Sequence, residues 1–204
     1  MVRYRGPKKK IINKLGSLPG LTQKSKREQQ TLKGSDIIDQ KKTKASAYKI
    51  RLNEKQKLRY YYGINESQLI KYIKEAKRKK GLTGFLLMQL LEMRLDNILF
   101  RLNIVPTIAA ARQMVNHGHV LVNKKRVNIP SFQCHPGDLI SFKDGHLAKL
   151  KKNFSNKLGN HSVNDHLHLD STTMIGKVNN VIQNHNLSFT VNEMLVVEYY
   201  SRLL

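Results

Sequence analysis

The sequence predicts an α+β protein: a mainly helical region and a small α/β module of two helices plus a small, mainly antiparallel sheet, behind an extended basic N-terminal arm. Three observations carry that prediction. Apolar residues recur at helical spacing from 49 to 102 and again after Pro106, then change to alternation between His119 and Phe142. Residues 1–46 show little apolar periodicity and contain Gly6-Pro7, Gly16, Pro19-Gly20 and Gly34. The charge is lopsided: among 204 residues, 37 Lys and Arg face 14 Asp and Glu, net +23, and residues 1–91 hold 24 of the basic and 6 of the acidic ones. Composition and pattern divide the chain into 1–46, 47–91, 92–150 and 151–204.

The arm, 1–46, has too few apolar side chains to offset an ordering entropy of about 1–2 kcal/mol per residue. It is expected to stay irregular and mobile until a polyanion fixes Arg3, Arg5, Lys8, Lys9 and Lys10. Tyr4, Tyr48, Tyr60, Tyr61 and Tyr62 are interleaved with the basic residues, and aromatic rings can stack on unpaired bases. Residues 49–62 read as a helix, with Asn53 a plausible N-cap. The next helix is framed by Asn65 with Gln68, a variant capping box, by an Ile64–Leu69 staple, and by Gly81 in the place of a left-handed C-terminal residue. Its apolar side is Leu69, Ile70, Tyr72, Ile73 and Ala76; Lys71, Lys74, Lys77, Arg78, Lys79 and Lys80 cover the rest.

A third helical stretch runs from Thr83 toward Leu102, as one helix or two in series. Leu91, Leu95, Ile98, Leu99 and Leu102 form a core stripe, and Arg94, Asn97 and Arg101 fall on another face. Two guanidiniums and an amide on one stripe can grip phosphate and sugar oxygens. The same stripe could be a solvated face on which Arg94 or Arg101 pairs Asp96 or Glu92. Pro106-Thr107 announces a helix ended by Gly118, with Arg112, Gln113, Asn116 and His117 facing away from its apolar side. Short strands follow at 119–122, 126–129 and 139–142. After 150, residues 151–168 read as polar loop, Val178, Val181 and Ile182 suggest a short helix, and Asn192 can cap a last one.

Enzymatic signatures are missing. Gly16, Gly20 and Gly34 lack phosphate-loop or dinucleotide spacing, and no serine sits in a nucleophile elbow. One cysteine rules out an intramolecular disulfide. Cys134-His135 could join His117 and His119 around a metal, but the Cys-x-x-Cys knuckle is absent, so no metal or cofactor is expected. The longest mostly apolar stretch, Gly84 to Met93, is too short to cross a hydrocarbon core of about 30 Å. A polyanion binder without catalytic residues or a membrane partner is what remains.

With these residues set out, the chain strongly resembles the family of the fourth protein of the small ribosomal subunit, in its plastid form. The resemblance runs nearly end to end. It lies in Arg3-Tyr4-Arg5-Gly6-Pro7, RLNEKQKLRYYYG (51–63), residues 86–102, ARQMVNHGHVLVNKKRVNIPSF (111–132) and NEMLVVEYYSR (192–202). Residues 92–145 look like a small RNA-binding module shared with some pseudouridine synthases and tyrosyl-tRNA synthetases. The resemblance implies a primary binder of small-subunit ribosomal RNA that nucleates assembly, sits near the messenger entry path, touches the fifth small-subunit protein and influences decoding accuracy. It also implies that the module is inserted into the helical domain, with 192–204 returning to pack on 46–91. The expected RNA contacts are Arg3, Tyr4, Arg5, Lys8, Lys9, Lys10, Arg51, Lys55, Lys57, Arg59 and Tyr62, then Arg94, Asn97, Arg101, Arg112, Asn116, His117, Asn123, Lys124, Lys125 and Arg126.

Two departures from the family pattern stand out. Bacterial relatives often carry a cysteine-rich metal loop in the first fifty residues; 21–47 has no Cys, so no zinc is implied. Family members usually have Gly after the Asn of the turn at 123; here Lys124 must take φ > 0 if the turn is type I′. Lys outnumbers Arg 26 to 11, as expected of an AT-rich organellar genome, and no transit peptide precedes the matching start. The expected location is therefore the ribosome of the chloroplast stroma. The rival readings are an RNA-modifying enzyme and a ribosome-associated factor using the same module. The first needs a catalytic domain for which 1–91 and 151–204 offer no motif; the second need not carry the basic half.

Overall fold

A computed structural model describes residues 6–22, 46–143, 145, 147, 150–151, 165–182 and 191–201. Among them are seven helices and one five-stranded sheet. The apolar residues settle into two cores, one on each side of residues 92–94.

The first core is helical. It is built by α1 (Lys8–Leu15), α2 (Ala47–Tyr62), α3 (Glu66–Arg78), α4 (Thr83–Glu92) and α7 (Glu193–Ser201). Leu58, Tyr61, Tyr62, Leu69, Ile73, Leu87 and Leu91 are its buried centre, joined by Val196 and Tyr200 of α7. The chain thus leaves this domain after α4 and re-enters it at α7. Asn192 caps the returning helix, its Oδ1 accepting from the amides of Met194 at 3.1 Å and Leu195 at 3.3 Å.

Helix α1 corrects the expectation of an irregular arm. Ile11, Ile12 and Leu15, one apolar stripe on an otherwise lysine-rich helix, are buried, and Leu18 follows them inward. The arm reading weighed apolar content within 1–46 alone, whereas these side chains find their partners in distant segments. The rest of that reading, with Arg3, Tyr4 and Arg5, falls at 1–5 and 23–45, outside the described residues. Helix α2 starts earlier than 49: Ser46 is its N-cap, accepting from Lys49 N at 3.3 Å, and Asn53 lies inside the helix. The capping box of Asn65 and Gln68 forms on α3. That helix stops at Arg78 with Lys79 extended, and Gly81 has φ +133° rather than a left-handed helical value.

The second core belongs to α5 (Leu95–Arg101), α6 (Ile108–Asn116) and the sheet. Helices α4 and α5 are two helices in series. The break is at Arg94, whose extended backbone (φ −72°, ψ 139°) bridges Gln133 while Leu95 N donates to Phe132 O at 2.9 Å. A strand-like contact thus replaces one helical turn. Thr107 caps α6, accepting from Ala110 N at 3.2 Å, and Gly118 follows with φ +69°.

The strands are β1 (Val120–Val122), β2 (Lys125–Arg126), β3 (Leu139–Phe142), β4 (Leu167–Asp170) and β5 (Ile175–Val178). All pairs are antiparallel, in the order β2-β1-β3-β5-β4. The β1–β2 register pairs Val122 with Lys125, leaving Asn123 (φ 50°) and Lys124 (φ 66°) as a two-residue loop with both φ positive, a type I′ turn. Lys124 therefore adopts the strained conformation that the departure from Gly requires. Two expectations give way here. Val178, expected in a short helix with Val181 and Ile182, instead ends strand β5, and Leu167 and His168, expected in loop, begin its partner β4. The sheet consequently extends past 150, and the module's core includes Leu167, Met174 and Val178. Gly176 lies under Leu102, where a Cβ would come within 2.6 Å of Leu102 Cδ1.

Candidate nucleic-acid interface

The described cations sort into three groups by what their side chains touch. The innermost group lies at the junction of the two cores. Glu92, the last residue of α4, is fully buried and accepts from Tyr62 Oη at 2.5 Å, Asn97 Nδ2 at 2.5 Å, and Arg101 through Nη2 at 2.6 Å and Nε at 3.0 Å. Four residues on, Asp96 accepts a fork from Arg94 (Nε 3.0 Å, Nη2 2.7 Å) and a third bond from Arg112 Nε at 2.7 Å. Arg94 also donates to Tyr72 Oη at 2.6 Å, and Arg112 to the carbonyls of Tyr62 at 2.7 Å and Gly63. Residues of α2, α3 and α4 are thereby tied to residues of α5 and α6.

This geometry corrects part of the expected RNA-contact set. Arg94, Asn97 and Arg101 are 2%, 0% and 5% exposed, and Tyr62 is buried with them. The helical wheel separated a polar stripe from an apolar one, but a wheel does not say whether the polar stripe meets solvent or another domain. Here it meets Glu92 and Asp96, the pairing left open as the alternative. Withdrawing Arg101 to reach a phosphate would strand the buried Glu92, at a cost of about 3–5 kcal/mol, and withdrawing Arg94 would leave Asp96 with Arg112 alone. The titration behaviour agrees. Burial alone would raise the Glu92 pKa, but the charge and hydrogen bonds of Arg101, with those of Tyr62 and Asn97, hold it below the usual carboxylate value. Burial likewise opposes the charge on Arg94, and Asp96 more than reverses that.

The second group is paired at the surface of α2. Arg51 pairs with Glu198 of α7, Lys57 with Glu54 at 2.5 Å, and Arg59 with Glu66 at 3.5 Å. Lys55 is buried, bonded to Glu66 at 3.0 Å and seated 4.7 Å over the Tyr199 ring. Lys55 therefore leaves the set of expected contacts, since it fastens α2 to α3 and α7. Arg51, Lys57 and Arg59 remain partly exposed, each beside a carboxylate. Asn123 is exposed, but its side chain holds the hairpin: Oδ1 accepts from Leu139 N at 2.9 Å and Nδ2 donates to Asp138 at 2.8 Å.

The third group is outward and uncompensated. Lys8, Lys9, Lys10 and Lys14 stand exposed on α1. Lys71, Lys74, Lys77 and Arg78 cover the outer side of α3, opposite the buried Leu69, Ile73 and Ala76. On the module, Asn116 and His117 end α6, and Lys124, Lys125, Arg126 and Lys143 project from the sheet's edge and ends. Arg126 crosses Gly118, whose φ of +69° lies in the left-handed region that favours glycine; a Cβ there would also push the flexible Arg126 guanidinium aside. Lys14 and the α3 cations were absent from the expected contacts, although α3's amphipathic pattern already showed a basic outer face. An array of unpaired lysines on both domains can neutralise phosphates along one polyanion.

Cys134 lies beneath this surface as a core thiol, its pKa pushed up to about 12 by burial and then by Asp138 and Asp96. The rings of His117 and His119 stand 5.9 Å apart. Among the described residues no helix is long and apolar enough to cross a membrane.

Comparison with known proteins places both parts. Residues 3–92 match the family model described as the ribosomal protein S4/S9 N-terminal domain, and residues 93–140 match the S4 domain. The boundary between the two falls at the Glu92–Arg94 junction. Proteins named small ribosomal subunit protein uS4c from Rhodomonas salina and Cyanophora paradoxa are each 51% identical over 99% of this chain, covering 99% and 100% of their own lengths. A protein named small ribosomal subunit protein uS4, from Nostoc punctiforme, is 51% identical over 99% of both chains.

Proposed function

The chain belongs to the ribosomal protein uS4 family, and from that premise we propose how its geometry serves a ribosomal role. It is a structural, non-enzymatic constituent of the small subunit that binds ribosomal RNA. The observation that carries the reading is the division of its cations: those between the domains are neutralised by buried carboxylates, and those on α1, α3 and the β1–β2 hairpin are left for phosphate.

RNA binding follows from two rigidly joined basic surfaces. A bent RNA junction that reaches both α3 and the hairpin would be held at a fixed angle, because the buried network prevents the domains from yielding independently. This supports a role as a primary binder that nucleates assembly. The exposed lysines supply sequence-independent affinity and steer encounter, while shape fixes register. The 51% identity to the uS4c proteins, with the lysine-rich composition, supports a chloroplast ribosome in the stroma. Contact with the fifth small-subunit protein, proximity to the messenger entry path and an influence on decoding accuracy rest on the family resemblance. A ribosome-associated factor would be substoichiometric and would wash off.

Quantifying the chain on small subunits purified through high salt tests the reading. One copy per subunit is the expected result, and a trace amount lost with rising salt would overturn it.

A further inference from the structure

Between α1 and α2 lies a cleft of about 330 Å³ that the family assignment does not explain. That volume is at the lower end of the ~300–1,000 Å³ of sites that hold small organic groups. Ile11, Leu15 and Leu52 give it an apolar lining, and Lys10, Lys14 and Arg59 give it positive charge with no acidic residue among the described lining residues. Helical spacing sets this arrangement: 10 and 14 share one side of α1, and 52, 56, 59 and 60 share one side of α2. Lys10 and Lys14 have no ion-pair partner among the described residues, whereas Arg59 is partly engaged by Glu66. Arg59 also stacks 4.9 Å over the ring of Tyr60 and bonds its hydroxyl at 3.2 Å, which fixes that ring at the cleft.

One polar group there is unsatisfied. The amide oxygen of Gln56 is shielded from solvent and has no hydrogen-bond partner. Leaving such an acceptor unpaired is unfavourable, and a donor supplied by a ligand would relieve it once the unanchored amide turns. Apolar walls, an aromatic ring, an amide able to read a base edge, and two free ammonium groups are together the chemistry of a nucleotide site.

We propose that the α1–α2 cleft receives one unpaired nucleotide of the small-subunit ribosomal RNA, its base between the apolar lining and Tyr60 within reach of Gln56, and its phosphate on Lys10 and Lys14. A strand leaving the cleft along α1 meets Lys8 and Lys9, which a free mononucleotide would not use. The inference rests on the ribosomal reading above and adds a site to it.

The test uses the full chain and a small-subunit ribosomal RNA transcript. Gln56→Leu keeps the charge and should weaken binding about three- to tenfold, as expected for one lost hydrogen bond, with an unchanged salt slope and a melting temperature that stays level or rises because the unpaired oxygen is gone. Lys14→Gln should lower the log–log salt slope by about one. Ultraviolet cross-linking of the wild-type complex should place a nucleotide adduct within residues 52–60. Unchanged affinity of Gln56→Leu, or adducts confined to other segments, would overturn the site while the wild-type chain still binds RNA. Saturable binding of adenosine monophosphate alone would overturn the RNA assignment in favour of a free nucleotide. Failure of the wild-type chain to bind the transcript at all would strike the ribosomal reading itself.

Discussion

The α4–α5 junction and the outer face of α3 are both rich in cations, and they use them in opposite ways. At the junction, Arg94 and Arg101 are hidden from water and, with the partly exposed Arg112, surround two carboxylates. On α3, Lys71, Lys74 and Lys77 stand in solvent. The planar guanidinium satisfies a carboxylate with two parallel bonds and tolerates burial; the flexible, strongly hydrated ammonium suits a surface that meets phosphate. Net charge alone does not reveal this division. What matters is whether a carboxylate packs within bonding distance of the cation.

The sharpest way to break the comparison is at Glu92. Glu92→Ala leaves Arg101 buried without its partner and should destabilise the protein by about 3–5 kcal/mol, read by urea unfolding. Lys74→Gln should fall within about 0.5 kcal/mol of wild type. If both variants unfold alike, the two regions are not different in kind.

Acid sharpens the same contrast. Because the folded-state pKa of Glu92 is depressed, its contribution is present above the unfolded carboxylate value of about 4.3 and is lost as pH falls through the folded value. Stability should therefore decline on acidification below about pH 5, and Glu92→Gln should flatten that decline. Unchanged acid sensitivity in that variant would locate the sensitive carboxylate elsewhere.

RNA affinity provides the reverse test. Lys71→Gln and Lys74→Gln should each lower the log–log salt slope by about one without moving the melting temperature. Arg101→Lys should do the opposite, lowering the melting temperature because ammonium cannot replace the fork on Glu92, with the salt slope of the folded fraction intact. An arginine variant that melts normally and binds RNA weakly would return the junction to the interface.

The smallest effect is expected at the hairpin. Lys124→Gly relieves a positive φ but loosens the unfolded chain, for a net gain of about 0.5 kcal/mol. It should also remove a phosphate contact, seen as a slightly shallower salt slope. A loss of stability would mean that Lys124 makes a compensating contact.

How far the sequence reveals the fold depends on how local each signal is. The helix start at Pro106-Thr107, the box at Asn65 and Gln68, the cap at Asn192 and the turn at Asn123-Lys124 are decided by neighbouring residues, and each is found where the sequence places it. Strand β5 was hidden because Val178, Val181 and Ile182 mimic helical spacing, while Gly176 gives no sign that it accommodates Leu102. Helix α1 was hidden because Ile11 and Leu15 become a reason to fold only against partners far along the chain. The candidate site divides the same way. The exposed lysines are legible as uncompensated charge, but the inward turn of Arg94 and Arg101 depends on Tyr62, Tyr72 and Arg112, none adjacent in sequence.

The re-entry of α7 has a bearing on the order in which the protein can be made. A chain emerging from the ribosome that synthesises it presents α1 to α4 first, then the whole inserted module, and only afterwards Val196 and Tyr200. The module can close its own core while the helical domain is still missing two of its buried side chains. At ~5–20 residues per second that interval is on the order of ten seconds, long against most elementary folding events. During it, the apolar stripes of α2, α3 and α4 are without their lid while their lysines are already available. Ribosomal RNA reaching those lysines early would meet a half-built domain, so the final helix sets the moment at which this protein becomes a finished scaffold.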